Sequence, residues 1–118
     1  MATSDPQRVT APGLSAFRAE ARPVVEATGE VVVEGEVDVA TAPQLREALH
    51  QVLDQGATRL RIDLAEVGFI DSAGLGVLIG VLKRIREVGG EIELVHVQPA
   101  PRKVIEITGL DELFSLSG

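Results

Sequence analysis

The sequence predicts an α/β fold: a mixed β-sheet in which N-terminal antiparallel strands are extended by parallel β-α-β units, with about four helices. Three observations predict it. Apolar stripes at helical spacing over residues 45–53 and 75–85 alternate with short runs of period-two alternation over 59–64 and 91–97. Strands separated by single helices of this length need crossover connections, which make that part of the sheet parallel. Finally, the chain has 118 residues, 45% of them apolar and 25% charged. That is the size and balance of one globular domain with a core of its own.

Residues 1–13 hold Pro6, Pro12 and Gly13 among polar residues with no apolar period. A flexible tail is expected there, ahead of a single domain over 14–118. From Leu14 to Ala27 apolar residues loosely alternate around Pro23, and Gly29 marks a turn before Val31, Val32 and Val33. This reads as a two-stranded hairpin, with Pro23 restricting where its strand sits in the sheet. Thr41 and Gln44 have the spacing of a capping box, with Pro43 tolerated in the first turn. Leu45, Ala48, Leu49, Val52 and Leu53 then form one helical stripe. Gln44, Glu47, His50, Gln51 and Asp54 fall on or beside the opposite, solvated side, and Gly56 supplies a left-handed stop.

Leu60, Ile62 and Leu64 alternate with Arg59, Arg61 and Asp63, which predicts a strand over 59–64. A second helix is predicted from Asp71 or Ser72 to about Val88, closed by Gly89 and Gly90. A strand over 91–97 follows. Gln98, Pro99, Ala100 and Pro101 then open a third helix over 102–108, which Gly109 closes. Residues 110–116 read as one or two further helical turns that pack Leu113 and Phe114 back on the domain.

Composition excludes several classes of function. With no cysteine, disulfides and thiolate metal sites are ruled out, and His50 and His96 alone cannot make a zinc site. Eighteen acidic against eleven basic residues give a net charge of −7, which speaks against nucleic acid as a partner. No apolar run reaches the ~18–20 residues needed to span a bilayer. The first residues lack the basic and apolar stretches of a secretory signal, so a cytoplasmic protein that does not bind membranes is expected. The only aromatics are Phe17, Phe69 and Phe114, too few for a stacking platform. The acidic charge and the absence of a coiled-coil pattern fit a monomer or weak dimer.

Residues 67–82 depart most from what folding alone would choose. Gly74, Gly76 and Gly80 sit inside a predicted helix, where each costs about 1 kcal/mol relative to alanine. Leu75, Leu78, Ile79, Leu82 and Ile85 make a core-facing stripe, and Val77, Val81 and Val88 widen it, while Gly76 and Gly80 are neighbours on the other side. Two readings stay open. The glycines allow close packing of a nearly buried helix, or the first turns present a low-relief surface of glycine and valine on which another protein docks.

Asp71 and Ser72 are both favoured N-cap residues, and only one of them can cap. If Asp71 caps, the Ser72 hydroxyl lies in the first turn, where it can face solvent and accept a phosphoryl group. The added charge of about −1.5 to −2 would meet the positive helix end and free amide hydrogens, while a partner packed there would meet a dianion. Other chemistry is poorly supported. Ser72 lacks both a nearby base and the Gly-x-Ser-x-Gly elbow of a hydrolase. Gly74, Gly76 and Gly80 match neither phosphate-loop spacing, so no cofactor is expected. Asp38, Asp63 and Asp71, all at or just after predicted strand ends, are candidates to converge on Mg²⁺, although such carboxylates more often cap or stay solvated. The acidic residues Glu30, Glu34, Glu36 and Asp38 read as a solvated strand face.

Several elements together resemble the STAS domain family, and within it the stand-alone bacterial anti-sigma factor antagonists. They are Gly35-Glu36-Val37-Asp38, Ile62-Asp63-Leu64, Phe69-Ile70-Asp71-Ser72-Ala73-Gly74-Leu75-Gly76 and Thr108-Gly109-Leu110. The resemblance spans about residues 14–116 and implies a STAS-like mixed sheet with helices packed on it. It also implies a non-enzymatic protein that binds an anti-sigma factor which is itself a serine kinase, displacing a sigma factor. By the same resemblance, phosphorylation at Ser72 releases the partner and a PP2C-type phosphatase restores the serine. Asp38 matches the family's acidic residue near that serine, and Gly74, Leu75, Gly76 and Val77 match the start of the docking helix. Ala73 stands where many members carry a second serine. The expected docking surface is therefore Asp38, Asp71, Ser72, Ala73, Gly74, Leu75, Gly76, Val77, Gly80 and Val81. Two alternatives remain: a STAS scaffold or transport-complex subunit that is never phosphorylated, and a small-molecule binding module or enzyme.

Overall fold

The computed structural model describes residues 17–117, so the expected tail over 1–13 and the start of the domain at Leu14 lie outside the described residues. The elements are β1 (Arg18–Ala21), β2 (Thr28–Val37), α1 (Ala42–Asp54), β3 (Arg59–Ile70), α2 (Ser72–Arg86), β4 (Glu91–Val95), α3 (Pro99–Ile107) and β5 (Ser115–Ser117). A 3-10 turn, Leu110–Glu112, precedes β5. The sheet order is β1-β2-β3-β4-β5, with β1 antiparallel to β2 and every later pair parallel. This is the mixed sheet expected, and among the described residues three α-helices plus the 3-10 turn stand where about four helices were predicted.

One side of the sheet carries the core. Val31 and Val33 of β2, Leu60, Ile62 and Leu64 of β3 and Leu94 of β4 are fully buried, whereas Arg59, Arg61 and Glu91 between them are exposed. Onto the buried side pack Leu45 and Leu49 of α1, Leu78 and Ile85 of α2 and Ile105 of α3. Helix α1 lies over β1 and β2, α2 over β3 and β4, and the two helices touch each other. Gly56, Gly89 and Gly109 end the helical segments with φ of 96°, 75° and 78°, a conformation that a Cβ would strain.

Several local readings differ from the structure, among them the strand expected over 91–97, which ends at Val95 because His96 turns to positive φ. The hairpin turn is Glu26-Ala27, not Gly29. Both turn residues have positive φ (52° and 65°), and Val25 and Thr28 exchange backbone hydrogen bonds of 3.0 and 2.9 Å across them. Gly29 lies within β2, where a Cβ would stand 3.0 Å from Val52 Cβ and 3.2 Å from Ala57 Cβ. Its smallness lets α1 approach the strand. The capping box does not form, because the Thr41 hydroxyl donates to the Glu36 carbonyl at 2.8 Å and accepts the Asp38 N–H at 2.9 Å.

Strand β3 continues to Ile70 instead of stopping at Leu64. Its pairing with β2 shifts register between Val32 and Glu34 and again between Gly35 and Glu36, each time with an extra β3 residue. These bulges change the spacing of buried residues from two to three, so Leu64, Val67 and Ile70 face the core. Helix α3 begins at Pro99 instead of Arg102, since first-turn amides lack intrahelical partners and prolines there lose nothing. Residues 115–117 form a strand on the open edge of β4 instead of continuing a helix; Phe114 is buried as expected, but Leu113 is 40% exposed.

Candidate functional site

Strands β2 and β3 finish level with each other. Val37 is paired with Ile70, and the Asp71 N–H reaches the Val37 carbonyl at 3.1 Å. Asp38 and Asp71 therefore follow directly on adjacent strands at the C-terminal end of the parallel part of the sheet. Asp38 Oδ1 accepts the N–H groups of Ala40 and Thr41 at 2.9 and 3.0 Å, which shapes the approach to α1. Asp71, in extended conformation, is the N-cap of α2, and its Oδ1 accepts the N–H groups of Ala73 at 2.9 Å and Gly74 at 3.3 Å. The choice left open by sequence is thus resolved: Asp71 caps, and Ser72 is the first helical residue, with an exposed side chain. The amides of Ala73 and Gly74 are held by Asp71, so a group added to Ser72 would meet the helix end without those two donors.

The glycines of α2 divide between the two readings. Gly74 is buried, and a Cβ there would collide with Val37 Cγ1 and lie 2.8 Å from Ile70 Cγ1. It lets the first turn rest on the strand ends. Gly76 and Gly80 are exposed, and a Cβ on either meets no neighbouring atom within 4 Å. Close packing inside the domain explains Gly74 only.

The valine half of the expected low-relief surface is corrected. Val77 is 3% exposed and Val81 0%, and Leu75 is also buried, because α2 packs on the sheet and on α1 together and its apolar arc extends to these positions. What α2 presents to solvent is Ser72, Gly76, Gly80, Lys83 and Arg86, with Ala73, Ile79 and Arg84 half-buried beside them. Two exposed apolar residues near the same strand ends were not among the docking residues expected from sequence. Val39 in the loop after Asp38 is 76% exposed, and Phe69 on β3, paired with Glu36, is 46% exposed. The only sequence signal was Phe69 standing between Gly68 and the core residue Ile70.

The other candidates lie elsewhere. Asp63 is inside β3, opposite Val95, not at a strand end, and so does not converge with Asp38 and Asp71. It bonds instead to His96, whose Nδ1 is 3.2 Å from Asp63 Oδ1. His50, expected to be solvated, is half-buried and accepts a 2.8 Å hydrogen bond from Arg84, which also donates to Asp54 at 2.7 Å. That arginine ties α2 to α1. Since guanidinium only donates, His50 Nδ1 is the acceptor in this contact. A shallow depression of about 260 Å³ lies over Arg59, Arg61, Glu91 and Glu93, at the opposite end of β3 from Ser72. Among the described residues no helix is long and apolar enough to cross a membrane.

The STAS domain family model matches residues 20–117. The chain belongs to the STAS domain family. It is similar to the anti-sigma-B factor antagonist of Bacillus subtilis (strain 168), with 40% identity over 75% of this chain and 80% of that protein. A crystal structure of an anti-sigma factor antagonist from Mycobacterium paratuberculosis superposes with a TM-score of 0.74 at 34% identity, covering 91% of this chain and 88% of the other. The Bacillus cell fate determinant SpoIIAA, solved in its phosphorylated form, superposes with a TM-score of 0.67 at 25% identity, covering 86% and 92%. In this STAS domain Ser72 is an exposed residue at the first position of α2, with the cap beside it already filled by Asp71.

Proposed function

We propose that this STAS protein is an anti-sigma factor antagonist in a partner-switching pathway. Unphosphorylated, it binds an anti-sigma factor that is also a serine kinase, and so frees a sigma factor in the cytoplasm. Phosphorylation of Ser72 reverses the binding, and a PP2C-type phosphatase resets it. The chain binds and is modified; it is not itself the enzyme. The single observation that carries this reading is the exposed Ser72 at the first position of α2, with Asp71 taking the cap. The names borne by its relatives, and the phosphorylated state of the Bacillus structure, support it.

The docking surface is the head of α2, formed by Ser72, Ala73, Gly76 and Gly80, with Asp38 and Asp71 at its upper end and Val39 in the loop that follows Asp38. Gly74, Leu75, Val77 and Val81 serve the surface from beneath, by seating α2 on the sheet. A phosphoryl group on Ser72 adds about −1.5 to −2 charge next to the Asp71 carboxylate. A partner covering Ser72 would have to strip water from that group, at an effective penalty of several kcal/mol per ion. On the free protein the same group stays in water.

The test is a binding series with the cognate anti-sigma factor kinase. Ser72→Ala is expected to bind like the unmodified chain and to stay bound when ATP is added, whereas Ser72→Glu binds at least tenfold more weakly with an unchanged melting temperature. Mass spectrometry after incubation with kinase and ATP is expected to place one phosphate on Ser72. Phosphate on a different serine, or none, would overturn the reading.

A further inference from the structure

Strand β3 outlives its neighbour. It pairs with β4 only as far as Asp63, opposite Val95, but pairs with β2 as far as Ile70. The chain leaves β4 at His96, whose φ is 58°. At this point side chains take over from the missing strand. Asp63 Oδ1 accepts the Ala65 N–H at 3.0 Å, and Gln98 Nε2 donates to the Ala65 carbonyl at 2.6 Å. Both polar groups of one residue are thus held by side chains. The same Asp63 oxygen takes a hydrogen bond from His96 Nδ1, since an ionised carboxylate can only accept. His96 is the first residue after β4 and Gln98 the N-cap of α3, so the connection between those elements is tied to β3 where the pairing ends.

We propose that Asp63 and Gln98 are positioning residues for Ser72. They form a latch that holds the overhanging part of β3 at its root. Beyond Ala65 the overhang has β2 on one side only, contains the register shift at Gly68, and leads directly into Asp71 and Ser72. A strand flanked on one side and interrupted by bulges is a segment that opens locally. Holding Ala65 by both its N–H and its carbonyl limits how far the overhang, and the cap that rides on it, can swing. The consequence for partner binding rests on the function proposed above, whereas the latch itself is measurable without a partner.

The experiment uses the full chain and three variants. Gln98→Glu keeps the side-chain size but removes the donor, Asp63→Ala removes the acceptor, and Asp63→Asn keeps an oxygen able to accept the Ala65 N–H. Amide hydrogen exchange is followed along the chain, together with affinity for the anti-sigma factor kinase. Losing one such bond favours opening by about fivefold. Gln98→Glu and Asp63→Ala are expected to speed exchange by about that factor over residues 65–72 while leaving α1 and β1 unchanged, with Asp63→Asn restoring the original rates. Affinity is expected to fall severalfold in the first two variants and to recover in the third. Unchanged exchange over 65–72, an increase spread evenly over all strands, no rescue by asparagine, or local loosening with unaltered affinity each overturns the proposal. If the exchange pattern is as expected but the unmodified chain neither binds the kinase nor gains phosphate on Ser72, the functional reading falls and the latch stands.

Discussion

Replacing Gly76 and Gly80 by alanine separates the two explanations for glycine in α2. Both residues are helical, both are exposed, and a methyl group on either meets no neighbouring atom within 4 Å. Nothing in the folded chain therefore opposes the change, and each alanine should add about 0.8–1 kcal/mol through helix propensity. The two propensity terms sum to about 2 kcal/mol, and since the positions are four apart on one helix face, contact between the two methyl groups would only add to that gain. With an unfolding entropy of about 2.1 cal/mol/K per residue, that is roughly 8 °C in melting temperature for a chain of 118 residues. Gly74→Ala is the control. Its methyl group would press on Val37 and Ile70, so a loss of about 1–3 kcal/mol is expected. Calorimetry and urea titration measure all three. On the function proposed above, the same double variant should bind the anti-sigma factor kinase more weakly, since two methyl groups now stand on the proposed docking surface. A double variant that is destabilised would refute the reading of Gly76 and Gly80 as free surface, and one that is stabilised yet binds unchanged would refute their place in the interface.

Two further outcomes concern stability alone. Val81→Glu should lose about 4 kcal/mol or fail to fold, because Val81 is fully buried and a carboxylate there has no partner; a soluble variant with native melting temperature would contradict that placement. The Glu26-Ala27 turn has positive φ at both positions, so Glu26→Asn with Ala27→Gly should raise stability by about 1 kcal/mol in urea titration, since those residues favour this turn type.

The helices were legible because their burial follows the helical period: Leu45, Leu49 and Val52 on one, Leu75, Leu78, Leu82 and Ile85 on the other. The alternation of Leu60, Ile62 and Leu64 was equally plain. The rest of β3 was not, since two bulges replace period two by period three, and a bulge is set by the neighbouring strand as much as by local sequence. Thr41 shows the same limit in a cap. Its spacing to Gln44 is right, but Glu36 and Asp38 claim the hydroxyl. Gly29 looked like a turn because a glycine that relieves crowding from a packed helix carries the same letter as one that bends the chain. At the site, Asp71 and Ser72 were readable as a pair of competing caps, and geometry chose between them. Val77 and Val81 were placed beside the core stripe, but how far burial reaches around a helix depends on what packs against both of its sides. Val39 and Phe69 were not among the expected docking residues because an apolar residue in a strand or loop is ordinarily assigned to the interior.

Asp71 has one more consequence. Because a permanent carboxylate already occupies the amino end of α2, the helix does not depend on what happens to the hydroxyl next to it. Bare and modified chains should then resist proteases for equal times, and neither would be cleared faster than the other. Information would be stored in the ratio of two equally durable populations, resettable many times within the lifetime of one molecule, without new synthesis.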